Sequence, residues 1–157
     1  MLIAVVSDTH RHTSEFHYIY KKIRNADVLI HLGDNISDVQ LISENFKGKI
    51  INVRGNCDFL NTLPSEKFET IENKKIFITH GNNYDVRYGI TRLQSRIEAL
   101  GVNLVLFGHT HKAIILYENG IWFVNPGSAC EARDSFNSIA LIDIKDGKII
   151  PSIVRVN

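Results

Sequence analysis

Short apolar runs that stop at polar loops are the feature that most constrains the fold of this chain. Five such runs occupy residues 2–6, 28–30, 50–53, 76–78 and 104–107. Because these runs are continuously or nearly continuously apolar and rich in β-branched residues, they are typical of strands buried on both faces. Segments with helical spacing of apolar residues lie at 13–25, from Ser37 onward and at 88–100, the first with Thr13 or Ser14 as its cap. This alternation predicts βα units and a mainly parallel sheet.

The last third of the chain has a different pattern, in which strands follow one another directly. In the last third, strands are expected at 113–117, 121–124, 138–144 and 148–156. Earlier in the chain, a further strand is expected near 68–71, while the hairpins of the last third have clear turn signals. Asn119-Gly120 and Asp146-Gly147 are typical hairpin turns between them. The sequence therefore predicts an α/β fold, most simply two packed sheets with helices outside. Since no repeat or low-complexity linker interrupts the chain, residues 1–157 are expected to form one domain.

Composition narrows the classes of protein to which the chain can belong. The 18 Lys and Arg residues nearly balance 17 Asp and Glu residues, for a net charge of +1. That balance argues against a long nucleic-acid partner, which normally requires a basic surface. The apolar start is short and no apolar run reaches membrane-spanning length, so we expect neither a signal peptide nor a membrane partner. With two cysteines and no disulfide framework, a soluble cytoplasmic protein is predicted, and homo-oligomerisation is left open.

Polar side chains with the chemistry of metal ligands follow each of the five apolar runs. They are Asp8, His10, Asp34, Asn56, His80, His109 and His111. Open α/β sheets place ligand sites outside the carboxyl ends of their strands, so these five loops are expected to converge. Asp8 and His10, like the two later histidines, are two residues apart. If their backbone is extended, both members of each pair face the same side.

The donor set predicts two metal ions. Two carboxylates, one amide and four imidazoles exceed the needs of one tetrahedral zinc, and no thiolate is among them. Mixed oxygen and nitrogen donors suit Mn²⁺, which we favour, or Fe²⁺, Co²⁺, Ni²⁺ and Zn²⁺. Two divalent ions ~4 Å apart repel by ~17 kcal/mol at an effective dielectric of ~20, so an anion must lie between them. Asp34, in the middle motif, is the candidate bridge, with a hydroxide as the second. Such a centre would attract a phosphoester and activate water for direct in-line attack.

The ordered motifs resemble those of the calcineurin-like metallophosphoesterase superfamily, and the chain as a whole resembles its small single-domain bacterial and archaeal phosphodiesterase branch. The motifs are Asp8-x-His10, Gly33-Asp34, Gly55-Asn56, His80, Gly108-His109-x-His111 and Asn125-Pro126-Gly127-Ser128. The resemblance implies a four-layer αββα sandwich of two mixed sheets flanked by helices. It also implies that Asp8, His10, Asp34 and His111 bind one ion, and that Asp34, Asn56, His80 and His109 bind the other. Asp34 and a hydroxide would then bridge the two ions.

Two positions depart from the superfamily pattern. Many members have histidine at the position of Cys57, where it binds phosphate and protonates the leaving group. Relatives also often have a second histidine at the position of Asn82. A neutral thiol is a poorer proton donor, so phosphodiesters with good leaving groups are the expected substrates. The predicted catalytic residues are Asp34, Asn56, Cys57 and His80, while Asn82, Tyr84 and Arg133 are candidates for the substrate rim.

The predicted function is therefore hydrolysis of a small phosphodiester by a metal-bridging hydroxide. A noncatalytic protein-binding scaffold is one alternative, because a subunit of the retromer complex has this fold. A nuclease and a small-metabolite phosphomonoesterase are the others. The remaining motifs have supporting roles: residues 125–128 are expected to buttress the metal loops, and His31 to end a strand or donate a hydrogen bond. His12 and His17 are expected to face solvent.

Overall fold

The computed structural model describes residues 1–59 and 62–157. Three short α-helices occur in this part of the chain: α1 (Phe16–Ile23), α2 (Asp38–Ile42) and α3 (Thr91–Ile97). The strands are β1 (Leu2–Val6), β2 (Val28–His31), β3 (Lys49–Asn52), β4 (Glu66–Ile71), β5 (Lys74–Thr79), β6 (Leu104–Leu106), β7 (Ala113–Glu118), β8 (Ile121–Pro126), β9 (Ser138–Lys145) and β10 (Lys148–Arg155). Each apolar run of the sequence forms a strand, with ends within one or two residues of those expected.

The strands form two mixed sheets. Sheet A has the order β10-β9-β1-β2-β3, and sheet B has the order β4-β5-β6-β8-β7. β1, β2 and β3 are parallel, as are β5, β6 and β8, whereas β9 and β10 pair antiparallel beside β1. The parallel neighbours β1, β2 and β3, and β5 and β6, come from the βα units, whereas β8 returns beside β6 through its hairpin with β7. The carboxyl ends of the parallel strands are the places from which the polar loops emerge.

Three apolar layers hold these elements together. Side chains of both sheets, including Ile3, Ile30, Ile78 and Leu106, interlock in a buried central layer. The other face of sheet A packs on α1 and α2, and the other face of sheet B packs on α3. This is the four-layer αββα sandwich, so the predicted fold class is confirmed. Among the described residues, no helix is long and apolar enough to span a membrane.

Helix ends differ from the sequence prediction in two places. α3 covers Thr91–Ile97 rather than 88–100, because Gly89 has φ 131° and Ile90 has non-helical φ and ψ angles of −101° and 4°. At the start of α1, neither predicted side chain caps the helix. The segment Thr13–Glu15 forms a 3₁₀ turn instead, and the cap position falls on Glu15 with no side-chain hydrogen bond. Neither change moves the polar loops that follow the strands.

Candidate metal centre

All seven predicted ligands lie together where the parallel strands of both sheets end. The loops after β1, β2 and β3 bring Asp8, His10, Asp34 and Asn56 from sheet A, and those after β5 and β6 bring His80, His109 and His111 from sheet B. The convergence that the sequence predicted is thus present in the structure.

The backbone of the ligand loops is left-handed, not extended. Asp8 and His10 have φ angles of 55° and 46°, and His109 and His111 have φ angles of 69° and 59°. The predicted extended geometry is therefore wrong. Left-handed φ angles at non-glycine residues are strained and cluster at functional sites, and here they turn both members of each pair toward the same edge of the sandwich.

The first cluster consists of Asp8, His10 and His111. Asp8 Oδ1 lies 3.1 Å from His111 Nε2 and 3.8 Å from His10 Nε2. The two Nε2 atoms are themselves 3.3 Å apart. Asp8 and His111 are buried, while His10 keeps some exposure. Three donor atoms thus surround one point that can be reached from solvent past His10.

The second cluster is built around His80. Its Nε2 atom lies 3.2 Å from His109 Nδ1, 3.2 Å from Asn56 Oδ1 and 3.5 Å from Asp34 Oδ2. Asn56 is exposed and His109 half-buried, so this cluster also opens to solvent. The same Asp34 Oδ2 atom lies 3.9 Å from His10 Nε2 in the first cluster. A single carboxylate oxygen therefore faces both clusters.

Two histidines have their tautomers set by backbone carbonyls. His80 Nδ1 lies 2.9 Å from the carbonyl oxygen of Leu32, and His111 Nδ1 lies 2.7 Å from that of Glu131. Because a carbonyl only accepts, each Nδ1 is the protonated nitrogen. Each Nε2 then offers a lone pair to its cluster, as metal-binding histidines normally do.

The Asp8 carboxylate tests whether a cation fits this centre. Asp8 Oδ2 accepts hydrogen bonds from the Ser7 hydroxyl and the His109 amide, the latter at 3.1 Å. Asp8 Oδ1 is buried and has no hydrogen-bond partner among the described residues. Since His111 Nε2 presents a lone pair to that oxygen, the two atoms repel unless a cation lies between them. A buried polar atom without a partner is costly, so a metal ion fits the donors present.

The carboxylates and histidines of the centre shift one another's pKa values. Burial would raise the pKa of Asp8, but interaction with His10 and His111 outweighs it and holds that pKa well below its usual value. The pKa of Asp34 is likewise lowered to about 2, because interaction with His80 outweighs burial. The neighbouring Asp8 carboxylate raises the pKa of His10. The pKa of His80 is raised as well, since interaction with the Asp34 carboxylate outweighs burial. Two buried carboxylates thus draw positive charge to this place, as a cation site requires.

A buried carboxylate that the sequence prediction missed ties two of the ligand loops together. Asp58 accepts hydrogen bonds from the amides of Asp34 at 2.9 Å, Gly55 at 2.8 Å and Ile36 at 2.8 Å. Gly33 has a φ of 103°, and a Cβ atom there would overlap the backbone of Gly55. The two loops are therefore in backbone contact, and Asp58 fixes their spacing. In the sequence, the position of Asp58 in the motif Gly55-Asn56-x-Asp58 was the signal that could have identified this role.

A second missed carboxylate, Asp38, holds the loop after β1. Its Oδ2 atom accepts from the Thr9 hydroxyl at 2.7 Å and the Arg11 amide at 2.8 Å, on either side of His10. As the first residue of α2, Asp38 resembles an ordinary helix-start residue in the sequence. Its second role depends on tertiary packing and leaves no local signal.

The segment 125–128 contacts the ligand loops in the manner expected of a buttress. Asn125 Nδ2 donates to the carbonyl of Gly108 at 2.9 Å and to the hydroxyl of Thr110 at 3.0 Å. The Ser128 hydroxyl donates to the carbonyl of Asp8 at 2.7 Å. One segment from sheet B thereby positions loops from both sheets.

The other sequence candidates lie around the centre in different ways. Cys57 is exposed, and its amide donates to Asp34 Oδ1 at 2.8 Å. The hydroxyl of Tyr84 is bonded to Glu66, and its ring lies edge-on to Phe77. Asn82 bonds to its neighbour Asn83 at 3.0 Å.

The remaining candidates are Arg133 and three histidines. Arg133 is exposed, and its amide is bonded to the His111 carbonyl. His31 ends β2 and is buried, with Nδ1 accepting from the Gly33 amide at 3.2 Å. His12 and His17 are exposed, as expected.

The fold and the two clusters together define a metal-binding protein of the α/β class. The model of the calcineurin-like phosphoesterase superfamily domain matches residues 1–147. The chain therefore belongs to the calcineurin-like phosphoesterase superfamily, whose metallophosphoesterases use divalent metal ions.

Curated relatives agree with this assignment. The chain is 33% identical to "Probable metallophosphoesterase MJ0623" of Methanocaldococcus jannaschii, an alignment that covers 96% of this chain and 81% of the relative. It is 27% identical to "Phosphodiesterase MJ0936" of the same organism, over 91% of this chain and 93% of the relative.

Solved structures share the fold. A Streptococcus pneumoniae protein described as a predicted phosphoesterase superposes with a TM-score of 0.82 at 25% identity, covering 99% of this chain and 89% of that one. Wild-type Vps29 from Entamoeba histolytica, solved in complex with zinc, superposes with a TM-score of 0.75 at 21% identity over the whole of both chains. At that identity the likeness to Vps29 concerns the fold alone.

Proposed function

We propose that this chain hydrolyses small phosphodiesters at a centre of two divalent metal ions. One ion would be held by Asp8, His10, Asp34 and His111, and the other by Asp34, Asn56, His80 and His109. The observation that carries the proposal is that Asp34 Oδ2 faces both clusters, 3.9 Å from His10 Nε2 and 3.5 Å from His80 Nε2. Mn²⁺ is the favoured metal, with Ni²⁺, Co²⁺, Fe²⁺ or Zn²⁺ as alternatives.

The ions would supply two things when bound: a lowered pKa for water and positive charge for the phosphoryl oxygens. The chain itself orients the reaction. Asp34 is fixed by the Cys57 amide at Oδ1, which leaves Oδ2 directed at both clusters. His80 is buried and fixed by its bond to the Leu32 carbonyl, and Asn56, 3.2 Å from His80 Nε2, borders the open side. A water oxygen attacks phosphorus in line as the opposite P–O ester bond breaks, and the departing alkoxide takes up a proton. The products are a phosphomonoester and an alcohol.

Cys57 favours substrates that need little help with the leaving group. Burial, hydrogen bonding to Asp34 and the charge of Asp34 raise the pKa of its thiol to about 11. The thiol is then neutral at neutral pH and a weak proton donor. Phosphodiesters with acidic alcohols therefore suit this centre better than phosphomonoesters, whose second negative charge also has to be accommodated.

Kinetics on matched esters test the proposal. The chain, loaded in turn with Mn²⁺, Ni²⁺, Co²⁺ and Zn²⁺, is assayed on bis-p-nitrophenyl phosphate and on p-nitrophenyl phosphate. We expect turnover of the diester to exceed that of the monoester. Cys57→His should raise monoester turnover about tenfold or more by adding a general acid. Cys57→Gln, of similar size to histidine but without an acid function, is the control and should not raise it. No diester turnover with any of the four metals would refute the proposal.

A noncatalytic scaffold is the alternative that the likeness to Vps29 keeps open. Because a Vps29 structure contains zinc, metal binding alone does not separate a scaffold from an enzyme. Turnover that disappears in Asp34→Asn does separate them, since a scaffold would have no turnover to lose. The single domain over 1–157, the cytoplasmic location and homo-oligomerisation stay predictions.

A further inference from the structure

A cavity of 610 Å³ opens on the sheet B side of the metal centre. Its floor is apolar and is formed by Val86, Ile90, Phe107 and Ile114. Val86 and Phe107 are buried, and Ile90 belongs to the apolar cluster under α3. Ile114 is exposed on β7, so the floor consists of three residues of the sheet B packing and one exposed side chain, and it can hold an aliphatic or aromatic group.

The rim of this cavity is cationic. Arg87, Lys112 and Arg133 line it, and all three are exposed. No carboxylate lines the cavity, and none of the three cations is in an ion pair with a described carboxylate. Three acidic residues lie within two positions of these cations in the sequence. Asp85 pairs with Arg92, and Glu131 contacts His12. Asp134 accepts from the amide of Ala113, a residue that lines the cavity, at 2.7 Å and keeps its negative charge. With three cations and the single neighbouring carboxylate of Asp134, the rim keeps an excess of positive charge.

The cavity adjoins the loop that carries His109 and His111. Thr110, which lines it, lies between the two histidines of the ligand loop. The Arg133 amide donates to the His111 carbonyl at 2.9 Å. A group bound in the cavity would therefore adjoin a phosphate held at the metal clusters.

The cavity on the other flank of the centre differs from this one. It borders Cys57, measures 320 Å³ and has a single cation, Arg11, together with the Asp58 carboxylate. It is smaller and lacks the excess of positive charge. Of the two places where a diester substituent can lie, the sheet B cavity alone combines an apolar floor with three free cations.

We propose that the sheet B cavity binds one ester substituent of the phosphodiester, and that this substituent has an apolar or aromatic body and a second anionic group. The proposal rests on the phosphodiesterase function argued above and deepens it by naming the substrate class. Substrates of this class present one anion to the metal centre and another to Arg87, Lys112 and Arg133. An uncharged substituent would bind the floor alone.

Two isosteric substrates test this inference. They are p-nitrophenyl p-carboxyphenyl phosphate and its neutral p-carbamoylphenyl analogue, which share the same p-nitrophenolate leaving group. With the manganese-loaded chain, kcat/KM for the carboxylate should exceed that for the amide about fivefold, through KM, as expected for partly exposed ion pairs. The preference should fall in Arg87→Gln, Lys112→Gln and Arg133→Gln and vanish in the triple variant. Arg24→Gln, an exposed change at the far end of α1, is the matched control and should keep it.

Binding gives a second readout that does not depend on turnover. Calorimetric titration with p-carboxyphenyl phosphate and p-carbamoylphenyl phosphate should show the same preference, and the triple variant should lose it. Equal kcat/KM and equal affinity for the two members of each pair would overturn the inference, as would a preference that survives in the triple variant. Absent turnover of both diesters would refute the phosphodiesterase proposal instead, and the calorimetric comparison would then decide on the cavity by itself.

Discussion

The two sheets contribute to the metal centre in different ways. Sheet A supplies both carboxylates, the amide and one histidine, and its loops are held by two further buried carboxylates, Asp38 and Asp58. Sheet B supplies three imidazoles. Two of the centre's histidines, His80 and His111, are oriented by backbone carbonyls. The carboxylates of sheet A are thus positioned by hydrogen bonds that they accept from backbone amides. The imidazoles are positioned by hydrogen bonds that they donate to backbone carbonyls.

This difference follows from what each ligand type needs. A carboxylate ligand can rotate and offers two oxygens. One of its oxygens must therefore be held by a donor, as the Cys57 amide holds Asp34 and the His109 amide holds Asp8. An imidazole already has a rigid shape, and it needs only to have its proton placed on the nitrogen that faces away from the metal. Loss of a sheet A group should therefore disturb charge and position together, whereas loss of a sheet B group should remove one donor.

The largest effect should come from Asp34→Asn, because this carboxylate faces both clusters. We expect metal content to fall below two ions per chain and diester turnover to fall at least about a thousandfold. His109→Gln removes one donor from one cluster and should retain more metal and more diester turnover than Asp34→Asn does. Elemental analysis and kcat/KM on bis-p-nitrophenyl phosphate measure the difference. If His109→Gln proved the more damaging change, the contrast between the sheets would be wrong.

A smaller effect is expected for Asp58→Asn, which keeps the side-chain shape but directs an NH₂ group at amide donors. Metal affinity or turnover should fall about 10- to 100-fold, as is typical for groups that position metal ligands. The free energy of unfolding should fall by about 1–3 kcal/mol. Asp146→Asn, in the exposed turn between β9 and β10, is the matched control. An Asp58→Asn variant that behaved like this control would show that the loops hold their spacing without the carboxylate.

His31→Asn should change how stability depends on pH. Burial lowers the pKa of His31 to about 4, so the unfolded chain binds a proton on this residue at a higher pH than the folded chain does. The stability that its neutral form provides is present above about pH 6.5 and is lost as pH falls toward about 4, by up to about 3 kcal/mol. The side-chain carbonyl of the substituted asparagine would keep an acceptor for the Gly33 amide. Denaturant unfolding at several pH values should show that His31→Asn loses less free energy of unfolding at acid pH than the unsubstituted chain does. The control His17→Asn should lose as much as the unsubstituted chain.

The smallest effect is expected for Tyr84→Phe on the sheet B side. Its hydroxyl donates to Glu66, so the change should cost about 1 kcal/mol of stability and leave kcat/KM within about twofold. Thermal unfolding and diester kinetics measure both quantities. A large rise in KM with unchanged stability would return Tyr84 to the substrate rim, where the sequence had placed it as a candidate.

The sequence predicted the fold and the meeting of the ligands because both follow from periodicity and strand order. Apolar runs such as residues 2–6 identify strands, and parallel strands bring their carboxyl ends to one edge. Asp8, Asp34 and His80 could therefore be assigned to one place from the sequence alone. The resemblance to a known superfamily predicted the four layers, which the structure contains, and the partition of ligands between two ions, which stays a proposal.

Local backbone conformation and tertiary hydrogen bonds could not be predicted from the sequence. The left-handed φ of His10 and His109 contradicts the usual preference of L-residues and depends on surrounding contacts. Asp58 bonds to amides 22 and 24 residues away, and a spacing rule does not contain such pairs. The direction of Tyr84 depends on Glu66, on a neighbouring strand.

Anomalous diffraction from crystals soaked in Mn²⁺ tests the central claim most directly. We expect two peaks about 3.5–4 Å apart, one among Asp8, His10 and His111 and the other among Asp34, His80 and His109, with Asp34 between them. A single peak, or two peaks that do not share Asp34, would contradict a two-ion centre built from both sheets.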